Sequence, residues 1–326
     1  MKKKETSVVN KIFVISLCVL LSLYALSMIM TLAWGFMTSL KNPMELEGKN
    51  PNWLGFPILD ETKTTNSIKH FFEFENYATI FKNYDRYKSR VYTKRSAYYA
   101  FGGTQLIPAP PSNYAPTLLD VAMNTVVYTA IGSILHTIIP AIVAYACVKY
   151  DNPVAKIITG AALFALTTPI IGAQASMLTM LRNLALYDTI WGYLLQKAGF
   201  GGTYFFVFLA FYQSVPDSFS EAAEIDGASQ FHILVKIIIP LSIKTLSTVF
   251  LIQFIHFWND YQTANLYMPS HPTIAFFVWK MTQLSDLAEP TLQIATTMML
   301  ALPILIAFIF LKDKLMGNVS MGGLKQ

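Results

Sequence analysis

Two places in the 326-residue sequence collect side chains able to do chemistry, within a chain that is 54% hydrophobic and only 13% charged. The first is the stretch "QFIHFWND", which supplies Gln253, His256, Trp258, Asn259 and Asp260. Read as one helix, Ser242, Thr245, Gln253, His256, Asp260 and Thr263 fall within about 80° of a single face at 100° per residue. An earlier apolar run carries a second line of small and polar residues: Thr125, Thr129, Ser133, His136 and Pro140. A charge deep in a bilayer costs at least about 3 kcal/mol, so such residues face a bundle interior or a watery cavity. Two readings stay open for both lines: the lining of a hydrophilic path, or hydrogen bonding between packed helices. His256 and Asp260 stand four apart and imitate an acid–base dyad. No nucleophile or metal-ligand set accompanies them, so catalytic and metal-ligating residues are expected to be none. The P-loop pattern, H-E-x-x-H and G-x-S-x-G are all missing from the sequence.

The second place is "SEAAEIDGASQFHILVKIIIP", Ser220–Pro240. Ser218 and Glu221 have the spacing of a capping box, and Pro216 and Asp217 suit the approach to a helix start. Ala222 and Ala223 give a small, strongly helical surface. Asp226–Gly227 then ends the helix, with Gly227 free to take the left-handed conformation. A second helix is expected from about Ser229, disturbed near Pro240. The product is a short surface helix joined rigidly to a spanning one, with Glu221, Glu224 and Asp226 as acidic anchors. It serves either to dock a partner or simply as a well-capped loop.

These elements must be positioned by long apolar segments. Runs of roughly 20 apolar residues mark a polytopic helical membrane protein. Six spans are read at about 12–38, 119–148, 157–181, 188–213 (interrupted at "KAGFGG"), 234–262 and 291–311. The apolar stretch from Ile12 to Phe36 exceeds the 7–15 residues of a signal-peptide core, so it is read as a retained span. Lysines 2, 3, 4 and 11, 149 and 156, 236 and 244, and 312, 314 and 325 then all fall on one side, which the positive-inside rule makes the cytoplasm. Both termini are expected there. The net charge of +5 bears on this orientation and not on nucleic acid. Cys18 and Cys147 do not form a disulfide framework or a metal site. Residues 1–40 are read as cytoplasmic N-terminus and first helix, and 41–117 as an extracytoplasmic segment. The transmembrane core is 118–312, with its loop at 214–235, and 313–326 is a cytoplasmic tail.

"EAAEIDGAS…IIIPLS" resembles the EAA loop of ABC importer permeases. "TSLKNPMEL", "FENYATIF", "MNTVVYTA", "LALYDTIWGYLL", "FWNDY" and "MGGLK" follow one another as in the carbohydrate branch, that of the maltose permease G subunit. The second proline that the family often carries is replaced by Ile243–Lys244 after Ser242. The resemblance implies an all-α type I importer permease fold, with Glu221, Ala222, Ala223, Asp226, Gly227 and Pro240 coupling to an ATPase. It also implies a second permease subunit, two ATPase subunits holding ATP and Mg, and an extracellular solute-binding protein. The cargo would be a carbohydrate, with Gln253, His256, Trp258, Asn259, Asp260 and His136 as candidates along its path. This chain itself would bind no cofactor. Alternatives are a non-sugar solute such as a glycerol phosphate, or a membrane scaffold that recruits a cytoplasmic partner.

Overall fold

The computed structural model describes residues 8–46, 52–56, 74–82, 84, 116–150, 152–168, 172–283 and 289–316. Most of segment 41–117, residues 317–326 of the tail, and Lys2, Lys3, Lys4 and Lys325 of the orientation argument lie outside the described residues. Among the described residues all regular structure is helical. Three helices are long and apolar enough to cross a membrane: Lys11–Ser39, Leu118–Lys149 and Gln230–Trp258. Pro153–Thr167, Thr203–Gln213 and Pro290–Ile306 are shorter apolar helices.

The chain divides into two compact units. One comprises Met1–Tyr87 with Met281–Ala301. In it the helix Val8–Ser39 presents apolar side chains outward along most of its length. Its end is tied down by polar contacts. Lys41 is fully buried, and its ammonium donates to the carbonyls of Asn52 and Trp53. Asn76 donates to the carbonyls of Ser39 and Lys41, both at 2.9 Å, and the Tyr77 hydroxyl pairs with Ser39 at 2.7 Å. The stretches "TSLKNPMEL" and "FENYATIF" therefore meet, because Asn76 of the second supplies the donors that the Ser39 and Lys41 carbonyls of the first require.

The other unit comprises Lys88–Lys280 with Leu302–Gln326. Its axis is the helix Leu118–Lys149, opened by a capping box of Thr117 and Asp120. Helices Thr203–Gln213 and Ile239–Trp258 pack on it. Ala141, Ala144, Phe205, Phe208, Tyr212, Ile233, Leu246 and Val249 form the shared core, the alanines letting the aromatic rings approach closely. Thr125, Thr129 and Ser133 are buried here, with Thr125 and Ser133 donating to carbonyls one turn back. Thr125 also accepts from the backbone N–H of Ile274 at 2.8 Å. Thr125, Thr129 and Ser133 thus lie on a packing face of this helix.

Three sequence readings need correction, and one helix went unread. The run 157–181 is not one helix: Pro153–Thr167 ends at an extended Thr168, and Ala173–Asn183 begins after a left-handed Gly172. The run 234–262 ends at Trp258, and Asp260 instead caps a new short helix, Tyr261–Leu266. The six residues assigned to one face of that run therefore do not share one helix. The Ser218–Glu221 capping box is not formed: the helix Ser218–Ile225 is already wound through Asp217, which is in the right-handed helical conformation and makes no side-chain cap bond. Finally, Ile274–Gln283 is a helix the periodicity did not announce.

Candidate functional site

The loop 214–235 folds as a closed unit. Gly227 has φ of 78°, and its N–H donates to the Glu224 carbonyl at 3.0 Å. The N–H of Ala228 donates to Ala223 at 2.9 Å, which completes a Schellman termination of the short helix. Ser229 then caps the next helix by accepting from the His232 N–H. Ala223 and Ala228 turn inward onto the core, and Ser220 is buried. Glu221, Ala222 and Asp226 face out beside Ile225 and Phe231, which are 87% and 75% exposed.

Glu224 is not a free anchor. Its carboxylate accepts from Lys149 at 2.7 Å and from the Gln230 amide at 2.8 Å, pinning the loop to the end of Leu118–Lys149. The Lys149 hydrogen bond, and then that of Gln230, hold its pKa below the ordinary glutamate value of 4.5. A carboxyl so depressed contributes above the unfolded value and loses that contribution as pH falls through the lowered one. Hydrogen-exchange protection of residues 218–230 is therefore expected to hold from neutral pH down through 4.5, fading only below. Glu224→Gln should weaken that protection and flatten its pH dependence. Equal profiles for the two proteins would show that the pin does not hold the loop.

After Ser229 the helix runs on to Trp258, with a five-residue π turn at Leu234–Ile238 in which the Ile239 N–H donates to Leu234. Pro240 follows at once and is exposed. Proline offers no N–H to the preceding turn, and the wider turn absorbs the mismatch.

At the far end of this helix, roughly 40 Å away at 1.5 Å per residue, lies an open cavity of 570 Å³. Ile255, His256, Asn259, Asp260, Tyr261, Gln262, Thr263 and Tyr267 line it together with Gln174, Gln196 and Lys197 from earlier in the chain. Its lining includes the ion pair Lys197–Asp260 at 3.2 Å, with Lys197 also donating to Thr263 at 3.1 Å. Asp260 accepts from the Thr263 N–H at 2.9 Å and from its hydroxyl. The ammonium lies 4.8 Å from the centre of the Phe257 ring, against which both His136 and His256 pack edge-on. Tyr261 stacks on Trp279 with ring centres 5.0 Å apart and planes 13° apart.

Of the residues expected along a path, the structure brings His256, Asn259 and Asp260 to the cavity. His136 sits behind Phe257, Gln253 is buried in the helix packing, and Trp258 is buried against Phe254. Lys197, Gln196, Gln174 and Gln262 were missed. A lysine following the apolar stretch "IWGYLLQ" was the available signal, since a charge there demands a partner.

Among the described residues, three helices long and apolar enough to cross a membrane mark a polytopic membrane protein. Residues 116–312 match the family described as "binding-protein-dependent transport system inner membrane component", and the chain belongs to that family. It is therefore a multi-pass inner-membrane protein. The trehalose transport system permease protein SugB of Mycobacterium tuberculosis is 25% identical over 62% of this chain and 76% of its own length. The polygalacturonan/rhamnogalacturonan transport system permease protein YtcP of Bacillus subtilis is 28% identical over 44% of this chain, which spans about half (49%) of that relative. Among solved structures, a bacterial ABC transporter involved in import of the acidic polysaccharide alginate shares the fold. It has a TM-score of 0.65 and 21% identity, covering 95% of this chain and 99% of that one.

Proposed function

We propose that this chain is one of two permease subunits of an ATP-driven importer that carries a carbohydrate, and that loop 214–235 couples it to a separate ATPase. The observation that carries this reading is the construction of the loop. The short helix Ser218–Ile225 is closed by Gly227, pinned to one long helix through Glu224, and continuous after Ser229 with another. A push on Glu221, Ala222 or Asp226 therefore reaches both helices as a rigid displacement, passed to the core through the inward-facing Ala223. The apolar Ile225 and Phe231, exposed beside two carboxylates, suit a partner's groove more than water. The transport systems named for two relatives support a carbohydrate cargo.

In this reading six spans cross the membrane with both termini in the cytoplasm, and segment 41–117 meets an extracellular binding protein. Two ATPase subunits bind ATP and Mg and close on each other, driving the loops together. ATP-dependent docking biases the two-state switch, because a ligand shifts an equilibrium only by its differential affinity.

The test is ATPase activity of the complex reconstituted in vesicles, with its binding protein loaded in turn with trehalose, maltotriose, trigalacturonate and glycerol 3-phosphate. Stimulation of several-fold by a sugar is expected. Stimulation by glycerol 3-phosphate alone would transfer the machinery to a non-sugar solute. Failure of any ATPase to co-purify would leave a scaffold.

A further inference from the structure

We propose that the cavity at the Lys197–Asp260 pair is a contact site for an uncharged, polyhydroxylated ring, selecting neutral sugars over sugar acids and phosphates. The inference rests on the carbohydrate reading above and adds the site and the charge class of its ligand.

Charge balance is the first ground. Lys197 and Asp260 are bonded to each other at 3.2 Å, and among the described residues the remaining lining groups are amides, hydroxyls, aromatic rings and Ile255, with His256 the only other titratable base. An arriving carboxylate would have to compete with Asp260 for the one ammonium, and it would meet the Asp260 charge at close range. Like charges at a shared site are strongly disfavoured.

Hydrogen-bond inventory is the second. Gln174, Gln196, Asn259 and Gln262 each carry a carbonyl acceptor and an amino donor, the complement of a hydroxyl that both gives and takes. The Gln196 Oε1 is buried and has no hydrogen-bond partner among the described residues, so a turn of this amide toward the cavity, where an incoming O–H could satisfy it, sacrifices no existing bond of that oxygen. The two bonds made by Lys197 leave one of its three N–H groups for a further acceptor. The Gln174–Gln262 contact is long, at 3.4 Å, and costs little to exchange for a ligand.

Shape is the third. The volume of 570 Å³ lies inside the range of roughly 300–1,000 Å³ typical of small-molecule sites. Tyr261, fixed by its stacking on Trp279, forms a rigid aromatic wall for the apolar face of a ring.

The experiment measures uptake and ATPase stimulation by the assembled complex in vesicles, using trehalose, maltotriose and trigalacturonate as probes. The variants are Gln196→Ala and Gln262→Ala, with assembly checked by gel filtration. Gln262 is exposed, so its truncation does not threaten folding. The expected result is stimulation by a neutral sugar and none by trigalacturonate, with uptake at limiting sugar lowered at least tenfold in Gln196→Ala and several-fold in Gln262→Ala. Uptake within twofold of the parent in both variants, with the parent active on a neutral sugar, would overturn the site and leave the importer reading standing. Stimulation by trigalacturonate alone would overturn the charge class. Stimulation by no sugar would overturn the carbohydrate reading and this inference with it.

Discussion

Gly227→Pro should abolish stimulation of the partner ATPase by loaded binding protein, whereas Gly227→Asn should retain most of it. Gly227 sits at φ of 78°, and proline is confined near −65°. The substitution also deletes the N–H that donates to Glu224 at 3.0 Å, one of the two bonds closing the short helix. A proline forced into an incompatible backbone costs about 3 kcal/mol or more, all of it at the joint between the loop helix and the long one. Asparagine visits the left-handed region far more readily. A Cβ at this position would meet nothing within 4 Å, so the two variants differ in backbone conformation and not in packing. The measurement is stimulated ATPase turnover of the vesicle complex, with subunit composition checked by gel filtration. Full stimulation in Gly227→Pro would mean that the loop is only a surface turn and that force passes elsewhere.

The second large effect is expected at the cavity. Lys197→Met alone should destabilise the assembled complex more than Lys197→Met combined with Asp260→Asn. The side chains of Lys197 and Asp260 are only 12% and 16% exposed, with Phe257 and Tyr193 around the ammonium. Removing one member of a buried pair strands the other charge, at a cost of about 3–5 kcal/mol when burial is complete and less here, where the cavity admits water. Neutralising both removes the stranded charge. Asparagine at 260 keeps an oxygen to accept from the Thr263 N–H, so the cap of helix Tyr261–Leu266 survives. Thermal unfolding of the detergent-solubilised complex measures this. Identical losses in the single and double variants would show that the two charges are not coupled.

How much of this was legible in the sequence follows from how local each determinant is. The loop could be read because its signals, Asp226–Gly227 and Ser229, act within a few residues of themselves. The capping box failed for a reason of one residue. The spacing was present, but Ser220 and Glu221 already donate to the Asp217 carbonyl, placing Ser218 inside the helix. The break after Thr167 was hidden by apolar composition, although Pro169 in the sequence argued against helix at Thr168. The cavity was only half legible. Asp260 and His256 stood out on one apolar run, but the lysine that completes the site lies 63 positions away in a segment read as an interruption. Pattern along the chain does not encode which distant helix end a charge will meet.

The π turn at Leu234–Ile238 amounts to one surplus residue in an otherwise regular helix. Each residue advances a helix by about 100°, so this single insertion sets the phase between the two ends of the shaft. Upstream it fixes the direction in which the Ser229 cap presents the loop. Downstream it fixes which azimuth carries Gln253 inward and His256 toward the cavity. The helix thus behaves as a crankshaft whose offset is built into five residues. A deletion there would shorten the rod by only about 1.5 Å, yet turn the cavity end about a quarter-revolution relative to the loop end.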